Sequence, residues 1–183
     1  MSTHLAPTRT TSELLRLLPW RRIVIATLVV AVADAAFAFV VYVLIAGRYN
    51  FETLLEYIAS GVAGPAAFST GAAGVGYAAL GFAIHLAISA AFVLVYAVLI
   101  APHVRTPFVA TSVGLAYGAL IWLVMNTVVL PLGHSTHEAP FNGYYIAFLI
   151  QHAVLVGLPI ALILLGANVG SHNTSAPTAT STR

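Results

Sequence analysis

The chain has 183 residues, 60% of them hydrophobic and only 7% charged, with a net charge of +2. A soluble domain carries about 25% charged residues, so a fold surrounded by water is excluded. Cysteine is absent, which removes disulfides, thiol nucleophiles, thiolate metal sites and iron–sulfur clusters within this chain.

Residues 1–19 are polar, rich in Thr and Ser, and hold Arg9 and Arg16. They read as a disordered or interfacial tail, with a short helix over Ser12–Leu18 as an alternative. A first apolar helix is expected from about Arg21 to Ala46, with Trp20, Arg21 and Arg22 at headgroup depth. Its apolar run exceeds the 7 to 15 residues of a signal-peptide core, so it is read as a retained span. In residues 47–70, Phe51, Leu54, Leu55, Ile58 and Val62 recur at helical spacing, and Glu52 and Glu56 share another face. That pattern predicts a short amphipathic helix lying in the interface, broken by Gly61, Gly64 and Pro65.

The longest uncharged stretch is Gly71–Ile100, with one His, His85, at its middle. No soluble helix of that length lacks a charged face. A proline-bounded turn over 101–107 leads to a third helix, expected over about Phe108–Leu130 and stopping at Pro131. A loop over 133–143 holds His134, His137 and Glu138. The fourth helix is expected over about Tyr144–Ala167, with Pro159 inside it, and residues 168–183 read as a disordered tail. The expected fold is therefore an all-α membrane domain over 20–167. It consists of four transmembrane helices in a bundle and an interfacial helix between the first two.

The seven basic residues are all Arg. They are read as topology signals and not as a nucleic-acid surface. Four Arg precede or open the first helix and Arg105 lies in the second turn, whereas the opposite side has only Arg48. Both termini are expected to be cytoplasmic in a bacterial inner membrane, with the lipid bilayer as the chief partner. Gly-rich helix faces offer a route to a homo-oligomer.

Asp34, His85, Asn126 and His152 are the informative polar residues at membrane depth. A charged Asp at a helix centre costs roughly 2.5–3.5 kcal/mol on insertion scales, so such groups turn inward, pair or change protonation. His85 and His152 each lie about fifteen residues before the same end of two parallel helices; at roughly 1.5 Å per residue they share one level. The expected inward faces are Gly74, Ala78, Gly81, His85, Ser89, Phe92 and Tyr96 on the second helix, and Gly114, Gly118, Trp122 and Asn126 on the third. On the fourth they are Tyr145, Phe148, His152, Leu155 and Pro159. Pro159 cannot donate to the Leu155 carbonyl, which predicts a kink or a freed acceptor.

Two accounts of these groups stand side by side. In one they are interhelical glue, each contact worth about 0.6 and up to roughly 2 kcal/mol. In the other they form an intramembrane site, through a haem b iron held by His85 and His152 or a proton-responsive cluster. His134, His137 and Glu138 resemble part of a metal site on a solvated loop. No Gly-x-Ser-x-Gly, phosphate loop or His-Glu-x-x-His is present, so the expectation is a non-enzymatic protein with a structural, interaction or stress-related role. Haem or metal binding is the second reading. A small transporter or proton-responsive channel using Asp34, His85 and Asn126 is the third.

The run Gly81–Ser89 around His85 precedes Tyr96. The third helix carries Gly114-Leu115-Ala116-Tyr117-Gly118, Trp122, Met125-Asn126 and Val129-Leu130-Pro131-Leu132, and the fourth carries Gln151-His152. From about Gly71 to Leu164 this resembles the YagU-like group of small bacterial inner-membrane proteins. The resemblance implies a four-helix fold, an inner-membrane location and a link to acid tolerance, but no reaction. YagU-like proteins have His near the position of Asn126, where this chain has Asn.

Overall fold

The computed structural model describes residues 18–47, 49–134 and 145–170, the last five by their backbone alone. Arg9, Arg16, Arg48, His137, Glu138 and Tyr144 lie outside these residues. All regular structure among them is helical. Four helices are long and apolar enough to cross a membrane: α1 (Trp20–Ile45), α3 (Ala72–His103), α4 (Pro107–Leu132) and α5 (Tyr145–Leu165). The backbone of α5 stays helical to Gly170, past the expected boundary at 167. Helix α2 (Phe51–Ala63) lies between the first two spans, capped by Asn50, whose side chain accepts from the Thr53 amide at 2.8 Å.

The spans are antiparallel neighbours in the order α3, α1, α5, α4, with α2 laid along the first half of α3. Contact between α3 and α4 comes near their terminal-side ends. There the Tyr96 and Tyr117 rings meet edge-on at 5.1 Å, and the Tyr117 hydroxyl donates to the Phe92 carbonyl at 2.8 Å. This half of the bundle is solid: Ile23, Val30, Val93, Tyr96, Ile160 and Leu164 are nearly or wholly buried in one core. At the same end, the Arg22 guanidinium donates to the Ile163 carbonyl at 3.0 Å and ties α1 to α5. The other half, toward α2, holds a smaller packed cluster of Val41, Tyr42 and Phe148 with a hollow beside it.

Glycine sets the tight crossings. Gly157 of α5 lies on Gly114 and Gly118 of α4, so closely that a Cβ on Gly157 or Gly118 would run into the opposite backbone and one on Gly114 into the Ala161 methyl. Gly81 of α3 likewise faces the Leu55 carbonyl of α2, and Gly74 faces Glu56. These crossings lie within the protomer, in keeping with the inward faces expected for Gly74, Gly81, Gly114 and Gly118.

Every span contains a widened, π-helical stretch: Phe39–Ile45, Tyr96–Ile100, Met125–Val129 and His152–Gly157. The last three each end two residues before a proline (Pro102, Pro131, Pro159). Proline lacks the amide proton and its ring crowds the carbonyl four residues back, so the ladder slips to the next acceptor. The widened turn adds a residue and rotates the rest of the helix about its axis. On α5 the inward face expected at 148, 152, 155 and 159 becomes 148, 152, 156 and 160; Val156 and Ile160 point in, while Leu155 is partly exposed on the outside. On α4 the helix also runs through Pro131 to Leu132 instead of stopping there.

The small and polar face of α2, Glu56, Ala59 and Ser60, is buried, whereas Phe51 and Val62 remain exposed. Small side chains on this face allow the backbone to reach Gly81, which large ones would prevent. The next face round, Leu54, Tyr57, Ile58 and Val62, looks into the hollow.

Candidate functional site

The hollow is a cavity of about 750 Å³ bounded by all four spans and roofed by α2. Pockets for small organic ligands run from roughly 300 to 1,000 Å³. Asp34 from α1, His85 from α3, Asn126 from α4 and His152 from α5 all line it. The four residues named from membrane depth and helical face thus converge on one chamber.

Asp34 is at its centre. Its Oδ1 accepts from the Gln151 amide at 3.0 Å. His152 Nε2 is 3.8 Å from the same oxygen, and His85 Nε2 is 4.0 Å from Oδ2. Backbone carbonyls fix the ring protons, since a carbonyl only accepts. His85 Nε2 is 3.0 Å from the Ala31 carbonyl, so it carries a proton and donates it there. His152 Nδ1 is 2.9 Å from the Phe148 carbonyl and donates in the same way. This leaves His152 Nε2 facing the carboxylate. For a haem iron to take both rings, His85 would have to leave Ala31 and Asp34 would have to move from between them.

The widened turns explain two of these placements. Asn126 and His152 each sit where a π-helical stretch opens, and each side chain donates to the carbonyl four residues back: Asn126 Nδ2 to Trp122 at 2.8 Å, His152 to Phe148. Thr127 does the same to Leu123 at 2.8 Å. Side-chain donors thus satisfy carbonyls at the points where the ladder changes register.

Gln151 is the residue that sequence reasoning left out of the site. It is only 2% exposed, gives Asp34 its direct hydrogen bond, and has an Oε1 with no partner. Its signal was an amide beside His152 at membrane depth, where a buried primary amide requires partners. The loop histidines fare differently. The His134 amide donates to the Gly61 carbonyl at 2.9 Å and its ring Nδ1 approaches the same oxygen at 3.3 Å, so it fastens the α4 end to the α2 roof. His137 and Glu138 are outside the described residues. Among those residues no group of three or more His, Asp or Glu is gathered around a common metal position.

The roof carries its own titration. Glu56 is buried against α3, and burial, followed by the charge of Glu52 one turn away, pushes its carboxyl above the ordinary carboxylate range. A raised value in the docked state favours the protonated form, so docking is strongest below the ordinary range and weakens as pH rises through the shifted one. Hydrogen-exchange protection over 51–63 should therefore fall between acid and neutral pH, and Glu56→Gln should flatten that dependence.

Fold and site together define a multi-pass membrane protein with a largely apolar, partly open cavity between its spans and, among the described residues, a carboxylate-centred polar cluster in its wall. Comparison of the chain with family models, curated proteins and solved structures finds no match.

Proposed function

We propose that this is a non-enzymatic membrane protein that holds a small, largely apolar molecule inside its bundle, with Asp34 and its partners gripping that molecule's polar end. One observation carries the reading: a cavity of about 750 Å³ opens beside the packed core of the terminal half, and the membrane-depth polar groups line it. Helices meant only to adhere would close around His and Asn as the solid half closes around Tyr96 and Tyr117. In this reading α2 lies at the outer membrane surface, both termini are cytoplasmic, and the protein resides in a bacterial inner membrane, as the Arg distribution and the YagU-like resemblance favour. Haem b has no part in it. A homo-oligomer would use faces other than the glycine crossings within the protomer.

Native mass spectrometry of the protein released from nanodiscs tests this. One small molecule or lipid should remain per chain, and Ile88→Phe, which fills the cavity wall, should remove it without changing the helical signal. Identical occupancy in both proteins, or none in the parent, contradicts the reading.

A further inference from the structure

The hydrogen-bonding inventory of the cavity specifies the occupant's chemistry, given that the cavity binds a molecule at all. The ring proton of His85 Nε2 is used on Ala31, that of His152 Nδ1 on Phe148, and an Asn126 amide proton on Trp122. Acceptors are left over. Asp34 has about four lone-pair positions, and among the described residues one protein donor, Gln151, lies within hydrogen-bond distance. Asn126, whose side chain also carries an acceptor oxygen, lines the same wall. The chain contains no Lys, and among the described residues no Arg lines the cavity and Asp34 is its only carboxylate. Around this acceptor-rich patch stand Tyr42, Phe92, Trp122, Tyr145 and Phe148. Aromatic faces attract cations, and do so most strongly where water is excluded.

An occupant that complements such a wall brings donors and positive charge on an apolar body. We infer that the cavity takes a lipophilic amine, its ammonium seated on Asp34 and its hydrocarbon part directed toward Ile88, Ile121 and Val156. A fatty acid would set a second carboxylate beside Asp34, and a quinone or ketone would leave the Asp34 charge without a counter-ion. An amine brings donors to the open positions of that carboxylate, which neutralises its charge.

The test uses Trp20→Phe, which leaves Trp122 in the cavity wall as the sole tryptophan, in phosphatidylcholine nanodiscs with empty discs as the partition control. Dodecylamine, dodecanol and dodecanoic acid are titrated against Trp122 fluorescence. Saturable binding of the amine is expected, at least tenfold tighter than that of the alcohol or the acid. Asp34→Asn keeps an oxygen for the Gln151 amide but loses the charge; it should weaken the amine at least tenfold and leave the alcohol unchanged. Asp34→Glu should retain the preference. Binding of alcohol or acid as tight as amine, or an unaffected Asp34→Asn, overturns the amine assignment while sparing the chamber. Failure of all three probes to saturate overturns both.

Discussion

Valine at Gly157 is expected to undo the bundle more thoroughly than any other single change. A Cβ added at Gly157 would meet the Gly114 carbonyl and the Gly118 backbone on the neighbouring helix, where no side chain can rotate aside. Overpacking of a well-filled core costs about 1–3 kcal/mol, and this crossing, having only backbone to move, belongs at the upper end. Lipid offers no hydrophobic gain for reclosing helices that are held apart. Gly157→Val should therefore unfold at lower denaturant and run as a broad peak in size-exclusion chromatography. Gly76→Ala is the control: open space surrounds its Cβ position, and alanine in a helix interior is favoured by roughly 0.5–1 kcal/mol. Equal stability of Gly157→Val and the parent would mean that α4 and α5 do not cross at glycine.

The second large effect is at Asp34. Leucine there removes the acceptor of a Gln151 amide that is almost wholly buried, and stranding such a group costs about 1–3 kcal/mol. Adding Gln151→Leu replaces the stranded amide with hydrocarbon, so the double variant should regain most of the loss. A double-mutant cycle measured by denaturant titration yields the coupling directly. It also separates the two roles open to the cluster. If adhesion between helices is all it does, the double variant recovers everything the protein does. If the cluster grips an occupant, stability returns and occupancy does not. Additive single losses would show that the two side chains do not share a hydrogen bond.

How much of this was legible in the sequence depends on what each residue's signal is made of. The spans and the shared level of His85 and His152 could be read because lipid forces length and polarity into the sequence. The inward face of α3 was also legible, since Gly74 through Tyr96 keeps a regular helical spacing. On α5 the same counting failed beyond His152, because the turn before Pro159 widens and advances the stripe by one residue. Pro159 announced a disturbed carbonyl but not the direction of the register shift. The face by which α2 packs on α3 was not legible, because periodicity marks only the apolar face, whereas Ala59 and Ser60 are buried where small residues let one backbone approach another. Gln151 was missed because an uncharged amide beside a histidine draws less notice than a carboxylate. The hollow itself has no sequence signature; it arises from the space between faces on four separate helices, and only their arrangement reveals it.

The chain contains a single aspartate, so carboxyl-labelled aspartate introduces one carbon-13 at Asp34 alone. Solid-state NMR of that sample in bilayers, with nitrogen-15 in the histidine rings, measures the contact on which the chamber rests. Dipolar dephasing of the Asp34 carboxyl by ring nitrogens is predicted, weakened by removal of either His85 or His152 and abolished by removal of both. A carboxyl signal untouched by histidine nitrogen would contradict the account, because α1, α3 and α5 would then not converge on one interior cluster.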